Sequence, residues 1–199
     1  RRDAKRVYVG KRRHVNGTVQ GVINEMLISD AQGGFRVVRL KGGDPLIFGR
    51  GGEELKALKF AGINFEVVPG VTAALGSAAV AGIPLTHRDY AQSARFITAR
   101  LSTDNSEIDW AELAREKQTL VVYMGLAELP ALARKLLKNG MEEATPVAVV
   151  ARASHPDQKV VTGTLREIVD KVKSEEISGP TTIIVGQVVT VGTVLPKDN

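Results

Sequence analysis

Chemistry-bearing residues concentrate between Val37 and Glu54. Val37-Val38-Arg39-Leu40-Lys41 reads as a strand that empties into Gly42-Gly43-Asp44-Pro45. Ligands of open α/β sheets bind just beyond such strand ends. Paired glycines let a ligand approach backbone amides closely, and an aspartate there can accept hydrogen bonds from ribose hydroxyls or from a cationic amino group. The same four residues also make an ordinary turn. The continuation, Leu46-Ile47-Phe48-Gly49-Arg50-Gly51-Gly52-Glu53-Glu54, sets one arginine among glycines and opens a helix. Arg50 and Glu53 stand three residues apart at its start, where Glu53 also reads as a first-turn acid facing the helix dipole.

Other chemistries lack their signatures. The chain has no cysteine, which excludes disulfides, thiolate metal sites and thiol catalysis. His14, His87 and His155 have no ligand spacing. There is no Gly-x-Ser-x-Gly elbow, Walker lysine motif or Rossmann Gly-x-Gly-x-x-Gly.

The elements that must position these residues follow an α/β rhythm, with short β-branched runs alternating with helical stretches that stop at glycine. Strands are predicted at Val7–Val9, Arg36–Leu40 and Phe65–Val68, and helices at Val19–Ala31, Gly52–Ala61 and Thr72–Ala81. This first half reads as a parallel sheet with crossover helices. Further strands are predicted at Phe96–Thr98, Leu120–Tyr123, Val147–Val150, Lys159–Thr162 and Thr182–Val191. Helices are predicted at Trp110–Arg115, Leu129–Leu137 and Leu165–Lys173, and strand excess marks the second half as a mixed sheet. The proline and polar residues of Ile83–Ser93 suit a connection between lobes, giving lobes 1–88 and 89–199.

A hydrophobic content of 43% supports a sizeable core, and no apolar run approaches the roughly 18 residues of a membrane span. The net charge of +5 is local. Residues 1–13 carry seven basic residues against Asp3, whereas the remainder is balanced at 20 basic to 21 acidic. That segment is either a solvated face or a surface for an anionic partner, and a basic-arm nucleic-acid-binding module is the alternative from a different class. Aromatic content of 5% and the lack of an RNA-binding motif count against nucleic acid. Nothing at the N-terminus resembles a signal peptide, which points to a cytoplasmic protein without a membrane segment.

Four ordered motifs carry a family resemblance: Gly42-Gly43-Asp44-Pro45 running on through Phe48-Gly49-Arg50-Gly51-Gly52-Glu53-Glu54; Val68-Pro69-Gly70-Val71-Thr72-Ala73-Ala74; Gly82-Ile83-Pro84-Leu85-Thr86-His87-Arg88; and Tyr123-Met124-Gly125. Together they resemble the uroporphyrinogen-III C-methyltransferases of the tetrapyrrole methyltransferase family, including the methyltransferase part of siroheme synthases, from Arg1 to about Val189. The resemblance implies two α/β lobes with S-adenosylmethionine in the cleft between them. Gly42, Gly43, Asp44, Ile47, Thr72 and Ala73 would meet the cofactor from the first lobe, and Met124 and Ala153 from the second. Many members have Asn-Gly-Thr where this chain has Arg152-Ala153-Ser154. Thr72 also fits a helix N-cap, and Met124 a core position at a strand end.

On the substrate side, the family places Arg50 and Glu53 around the tetrapyrrole and assigns a lysine matching Lys11 as proton donor. Uroporphyrinogen III is a polycarboxylate, so the basic segment gains a specific partner. The implied reaction methylates carbons C2 and C7 of uroporphyrinogen III, giving precorrin-2 and S-adenosylhomocysteine. A sister precorrin methyltransferase is the nearer alternative, and a homodimer is the expected assembly. The family also opens with a strand, a Gly-x-Gly-x-Gly-Asp loop and a Tyr-Asp-type segment bearing a proposed base. This chain starts at Arg1 without them, and the resemblance implies about forty residues upstream.

Overall fold

The computed structural model describes residues 2–10, 19–99 and 108–192. The chain divides into two compact units, Arg1–Gly70 and Val71–Asn199. This division precedes the Ile83–Ser93 connection because the helix at 73–81 packs within the second unit.

The second unit is built on a five-stranded sheet of β1 (Ser93–Thr98), β2 (Gln118–Tyr123), β3 (Pro146–Ala151), β4 (Lys159–Thr164) and β5 (Thr181–Val185), in spatial order β1-β2-β5-β3-β4. The pair β1–β2 is parallel; β2–β5, β5–β3 and β3–β4 are antiparallel. The mixed sheet predicted for the second half is therefore present. Its central strands are apolar on both faces, as strands covered on both sides must be. Leu120, Val122, Val147, Val149, Ile183 and Val185 face one core, and Val121, Tyr123, Ala148, Val150 and Ile184 face the other.

Helices supply the covers. On the first face lie α4 (Trp110–Leu113), α5 (Leu129–Lys138) and α6 (Ile168–Ser174). Leu129, Leu132, Ala133 and Leu136 recur at the i, i+3, i+4, i+7 spacing of one helix stripe, and all are buried. On the second face lies α3 (Ala73–Ala81), whose alanines allow a close approach and which ends at Gly82 with φ +65°. The strand predicted to run to Val191 stops at Val185. Gly186, at φ 138°, turns the chain into a 3₁₀ turn at Gln187–Thr190 that sends Val188 and Val189 into the second core.

In the first unit, α1 (Gln20–Gln32) packs on α2 (Gly51–Phe60), close to the helices predicted there. The predicted strands do not form: among the described residues of this unit there is no β-ladder. β-Branched composition favours extended backbone, but a strand exists only where a neighbour takes its amide and carbonyl groups. Segments 36–40 and 65–68 have no such neighbour among the described residues. Val38, Leu40 and Val68 are accordingly 72%, 80% and 74% exposed where a buried strand was expected. Among the described residues the parallel sheet of the first half is thus corrected to two packed helices joined by irregular segments and turns.

Candidate active site

Sheet register brings the second unit's chemistry to one edge. β1, β2 and β3 share a direction, so their C-terminal ends lie at the same edge as the start of β5. Tyr123 pairs with Thr182, which pairs in turn with Val150. Met124 leaves β2 there, and Arg152-Ala153-Ser154 leaves β3. Met124, Arg152 and Ser154 all take positive φ, at 53°, 50° and 66°. Such conformations cost non-glycine residues about 1–3 kcal/mol each and persist only where surrounding contacts over-determine them.

The contacts that fix this edge come from α3. The Tyr123 hydroxyl lies 2.6 Å from Thr72 Oγ1 and accepts a 2.9 Å hydrogen bond from the Ala74 amide. Thr72 occupies the N-cap position, yet its side chain makes no cap bond. Tyr123, from another element, satisfies a helix-start amide in its place. One turn further along, Ser77 Oγ donates to Thr182 Oγ1 at 2.9 Å, also buried. Thr72 is therefore buried, while Ala73 is exposed beside it and Met124 is 50% exposed. The core position considered for Met124 is excluded by that exposure.

In the first unit the Gly-Gly-Asp-Pro turn closes on its own aspartate. Asp44 Oδ1 accepts from the Leu46 amide at 2.8 Å, an Asx-type turn, and Oδ2 accepts from the Gly70 amide at 3.2 Å. These amides, that of Leu46 foremost, hold the Asp44 carboxyl below its ordinary pKa. Gly70 is required, because a Cβ there would lie 2.5 Å from the Gly43 carbonyl oxygen. Gly51 is required as well: its amide donates to the Pro45 carbonyl, and a Cβ would collide with that same oxygen. Around Gly42, by contrast, a Cβ would meet nothing within 4 Å. Ile47 is half-exposed in the same turn.

Arg50 precedes α2 with φ 59° and ψ 15°. Its guanidinium grips Glu53 in a fork, Nε to Oε1 at 2.6 Å and a terminal nitrogen to Oε2 at 2.7 Å. The hydrogen bonding raises the Arg50 pKa and lowers that of Glu53. About half of each side chain is exposed, so the pair faces solvent and contributes little to stability. Glu54 is buried. Its Oε1 accepts from Arg39 Nε at 3.2 Å and Gln20 Nε2 at 3.1 Å, and its Oε2 lies 2.9 Å from Lys41 Nζ. Burial pushes its carboxyl up, but the Lys41 and Gln20 donors outweigh that and leave it below the ordinary value.

The sequence-predicted residues thus fall into two groups. Gly42, Gly43, Asp44, Ile47, Arg50 and Glu53 share the first unit's turn and helix start. Thr72, Ala73, Met124 and Ala153 share the second unit's sheet edge. Lys11 lies outside the described residues. Sequence reading missed Tyr123, Lys41 and Glu54 as site-forming residues, although each stands inside a quoted motif. The signal for Tyr123 was a hydroxyl in an otherwise apolar central strand, since a buried phenol demands a polar partner.

With this geometry in view, the chain matches the tetrapyrrole (corrin/porphyrin) methylases over residues 2–169. This chain belongs to the tetrapyrrole methylase family. It is 54% identical over 190 residues to a siroheme synthase of Hahella chejuensis, which covers 96% of this chain and 40% of the relative. The chain therefore spans about two fifths of the length of such curated relatives. Among solved structures it resembles a uroporphyrin-III C-methyl transferase from Thermus thermophilus complexed with S-adenyl homocysteine, with a TM-score of 0.78 and 39% identity across 95% of this chain and 80% of that one. A cobalt precorrin-4 methyltransferase gives a TM-score of 0.79 at 29% identity, across 87% of this chain and 73% of that one. The α/β tetrapyrrole methylase fold expected from sequence is thereby established.

Tyr123→Phe is expected to cost about 1–3 kcal/mol, because the Ala74 amide and Thr72 hydroxyl lose a buried partner. Urea unfolding checks this, and a loss below about 0.5 kcal/mol would show the bridge to be energetically idle.

Glu54 gives a pH dependence of defined sign. Its folded pKa is depressed, so its stabilisation is complete above the ordinary glutamate value of 4.5 and drains away as pH falls through the lower folded value. Amide protection factors across α1 and α2, with intrinsic exchange divided out, should fall on acidification below pH 4.5, and that dependence should be shallower in Glu54→Gln. Equal slopes in the two proteins would contradict the assignment.

Proposed function

We propose that this chain transfers methyl groups from S-adenosylmethionine to C2 and C7 of uroporphyrinogen III, yielding precorrin-2 and S-adenosylhomocysteine. The observation that carries the reading is the sheet edge at Met124 and Ala153, with α3 fastened to it through Tyr123, in a chain 39% identical to a uroporphyrin-III C-methyl transferase. The lower 29% identity to a precorrin-4 enzyme ranks the sister reaction second.

The residues suit the cofactor chemically. Small residues at Ala73 and Ala153, a half-exposed thioether at Met124 and the strained main chain beside them form a surface for a flat, largely apolar nucleoside, with the buried Thr72 hydroxyl bracing it from behind through Tyr123. The first unit's Gly42-Gly43-Asp44 turn and Ile47 offer open main chain and a carboxylate. When bound, S-adenosylmethionine supplies an electrophilic methyl group on sulfur. The protein's part is alignment. A backbone pinned by buried hydrogen bonds at Thr72, Ala74 and Tyr123 holds the neighbouring residues in place before any ligand arrives.

Arg50 recognises the acceptor in this reading. Guanidinium carries five N–H donors, and the fork to Glu53 uses two, leaving donors for a tetrapyrrole carboxylate. Glu53 sets the plane of the fork. Lys11 serves as proton donor on the strength of the family resemblance, as do a homodimeric assembly and a cytoplasmic location. The basic arm that suggested nucleic acid meets the polycarboxylate instead.

Arg50→Ala should lower kcat/KM for uroporphyrinogen III at least a hundredfold while leaving S-adenosylhomocysteine affinity within twofold, measured by methyl-transfer kinetics and calorimetry. Normal methylation by the folded variant would make the arginine structural. Failure of the unmodified protein to methylate uroporphyrinogen III, with a later precorrin accepted, would select the sister reaction.

A further inference from the structure

Among the described residues of the first unit, Glu54 is the one buried charged side chain, and Lys41 beside it is only 12% exposed. Neither residue is required for the reaction as read above. Their contacts converge on Arg50. Lys41 Nζ bridges Glu54 Oε2 and the Gly49 carbonyl oxygen, the latter at 2.5 Å. Gly49 contributes that carbonyl to the peptide plane entering Arg50, so gripping it restrains rotation on the N-terminal side of Arg50. The Arg50 carbonyl, in the plane leaving it, accepts from the Glu53 and Glu54 amides at 3.1 and 3.4 Å. Both peptide planes that set the Arg50 dihedrals are thus tied to Glu54, one through Lys41 and one through its own backbone.

The tie matters because Phe48 and Arg50 both have positive φ, 50° and 59°, conformations that β-carbon-bearing residues abandon when released. We propose that Lys41 and Glu54 are a positioning pair that holds Arg50 in its left-handed conformation, presetting the Arg50–Glu53 fork for a carboxylate of the tetrapyrrole. The pair acts through Arg50 and touches no substrate. Arg39 and Gln20 complete the Glu54 shell and anchor it to the segment 36–40 and to α1. The assignment deepens, and rests on, the reading of Arg50 as the acceptor-binding residue.

The experiment has two independent arms on the whole protein and its Lys41→Met and Lys41→Arg variants. Trypsin cleavage at the Arg50–Gly51 bond, followed by mass spectrometry without any ligand, reads the conformation alone. Lys41→Met should speed it at least tenfold relative to cleavage after Arg134 on α5, and Lys41→Arg, which keeps a charged donor, should recover most of the protection. In kinetics, Lys41→Met should raise KM for uroporphyrinogen III at least tenfold with S-adenosylhomocysteine affinity within twofold. If Lys41→Met does not fold, Glu54→Gln, isosteric and uncharged, is read instead with the same expected direction. Unchanged cleavage at Arg50 in a folded variant, or an equal loss in Lys41→Met and Lys41→Arg, overturns the positioning role. Faster cleavage at Arg50 in a protein that methylates no tetrapyrrole would support the clamp and defeat the functional reading.

Discussion

A single phenolic oxygen organises the second unit's candidate site. Tyr123 stands at the end of a central strand with its ring in the core, and its hydroxyl meets both Thr72 and the Ala74 amide in the first turn of α3. A buried helix start must have its amides satisfied, and a buried phenol must have a partner. Each need answers the other here. The register Tyr123–Thr182–Val150 then carries the constraint across three strands, so the exit of β3 at Ala153 shares an edge with the exit of β2 at Met124.

Five of the seven described non-glycine residues with positive φ stand where the chemistry is proposed, Lys117 and Glu176 being the others. Met124, Arg152 and Ser154 leave the sheet at positive φ, and Phe48 and Arg50 frame the glycine turn of the first unit the same way. The two units hold this strain by different means. In the second, an apolar sheet covered on both faces leaves the strand exits little freedom. Among its described residues the first has two packed helices, and its restraint is electrostatic, with Asp44 closing its turn on two amides and Glu54 collecting three donors. A buried carboxylate so enclosed favours one arrangement of its partners, since losing Arg39 or Lys41 leaves its charge with a single cationic partner.

Much of this was legible in the chain. Helices announced themselves by apolar spacing and glycine stops, and α5 and α3 end where Gly140 and Gly82 predict. The β2, β3 and β5 strands followed from β-branched runs, and the motifs around Asp44, Arg50, Thr72 and Met124 marked the candidate site. What sequence could not give was partnership. Segments 36–40 and 65–68 have the composition of strands, but composition does not name a neighbour, and without a ladder they remain irregular and mostly exposed. Likewise Thr72 looked like an N-cap, while the bond it makes goes to a tyrosine 51 residues away. Such pairings belong to the folded topology and are invisible to local pattern.

The central claim is that the edge fastened by Tyr123 is the second unit's contribution to S-adenosyl recognition. Titration of the isotope-labelled protein with S-adenosylhomocysteine, read by backbone amide chemical shifts, tests it most directly. The account predicts saturable shifts concentrated at Thr72–Ala74, Met124–Gly125 and Arg152–Ser154. Binding that leaves those amides unmoved while shifting others in the second unit, such as those of α5 and α6, would contradict it.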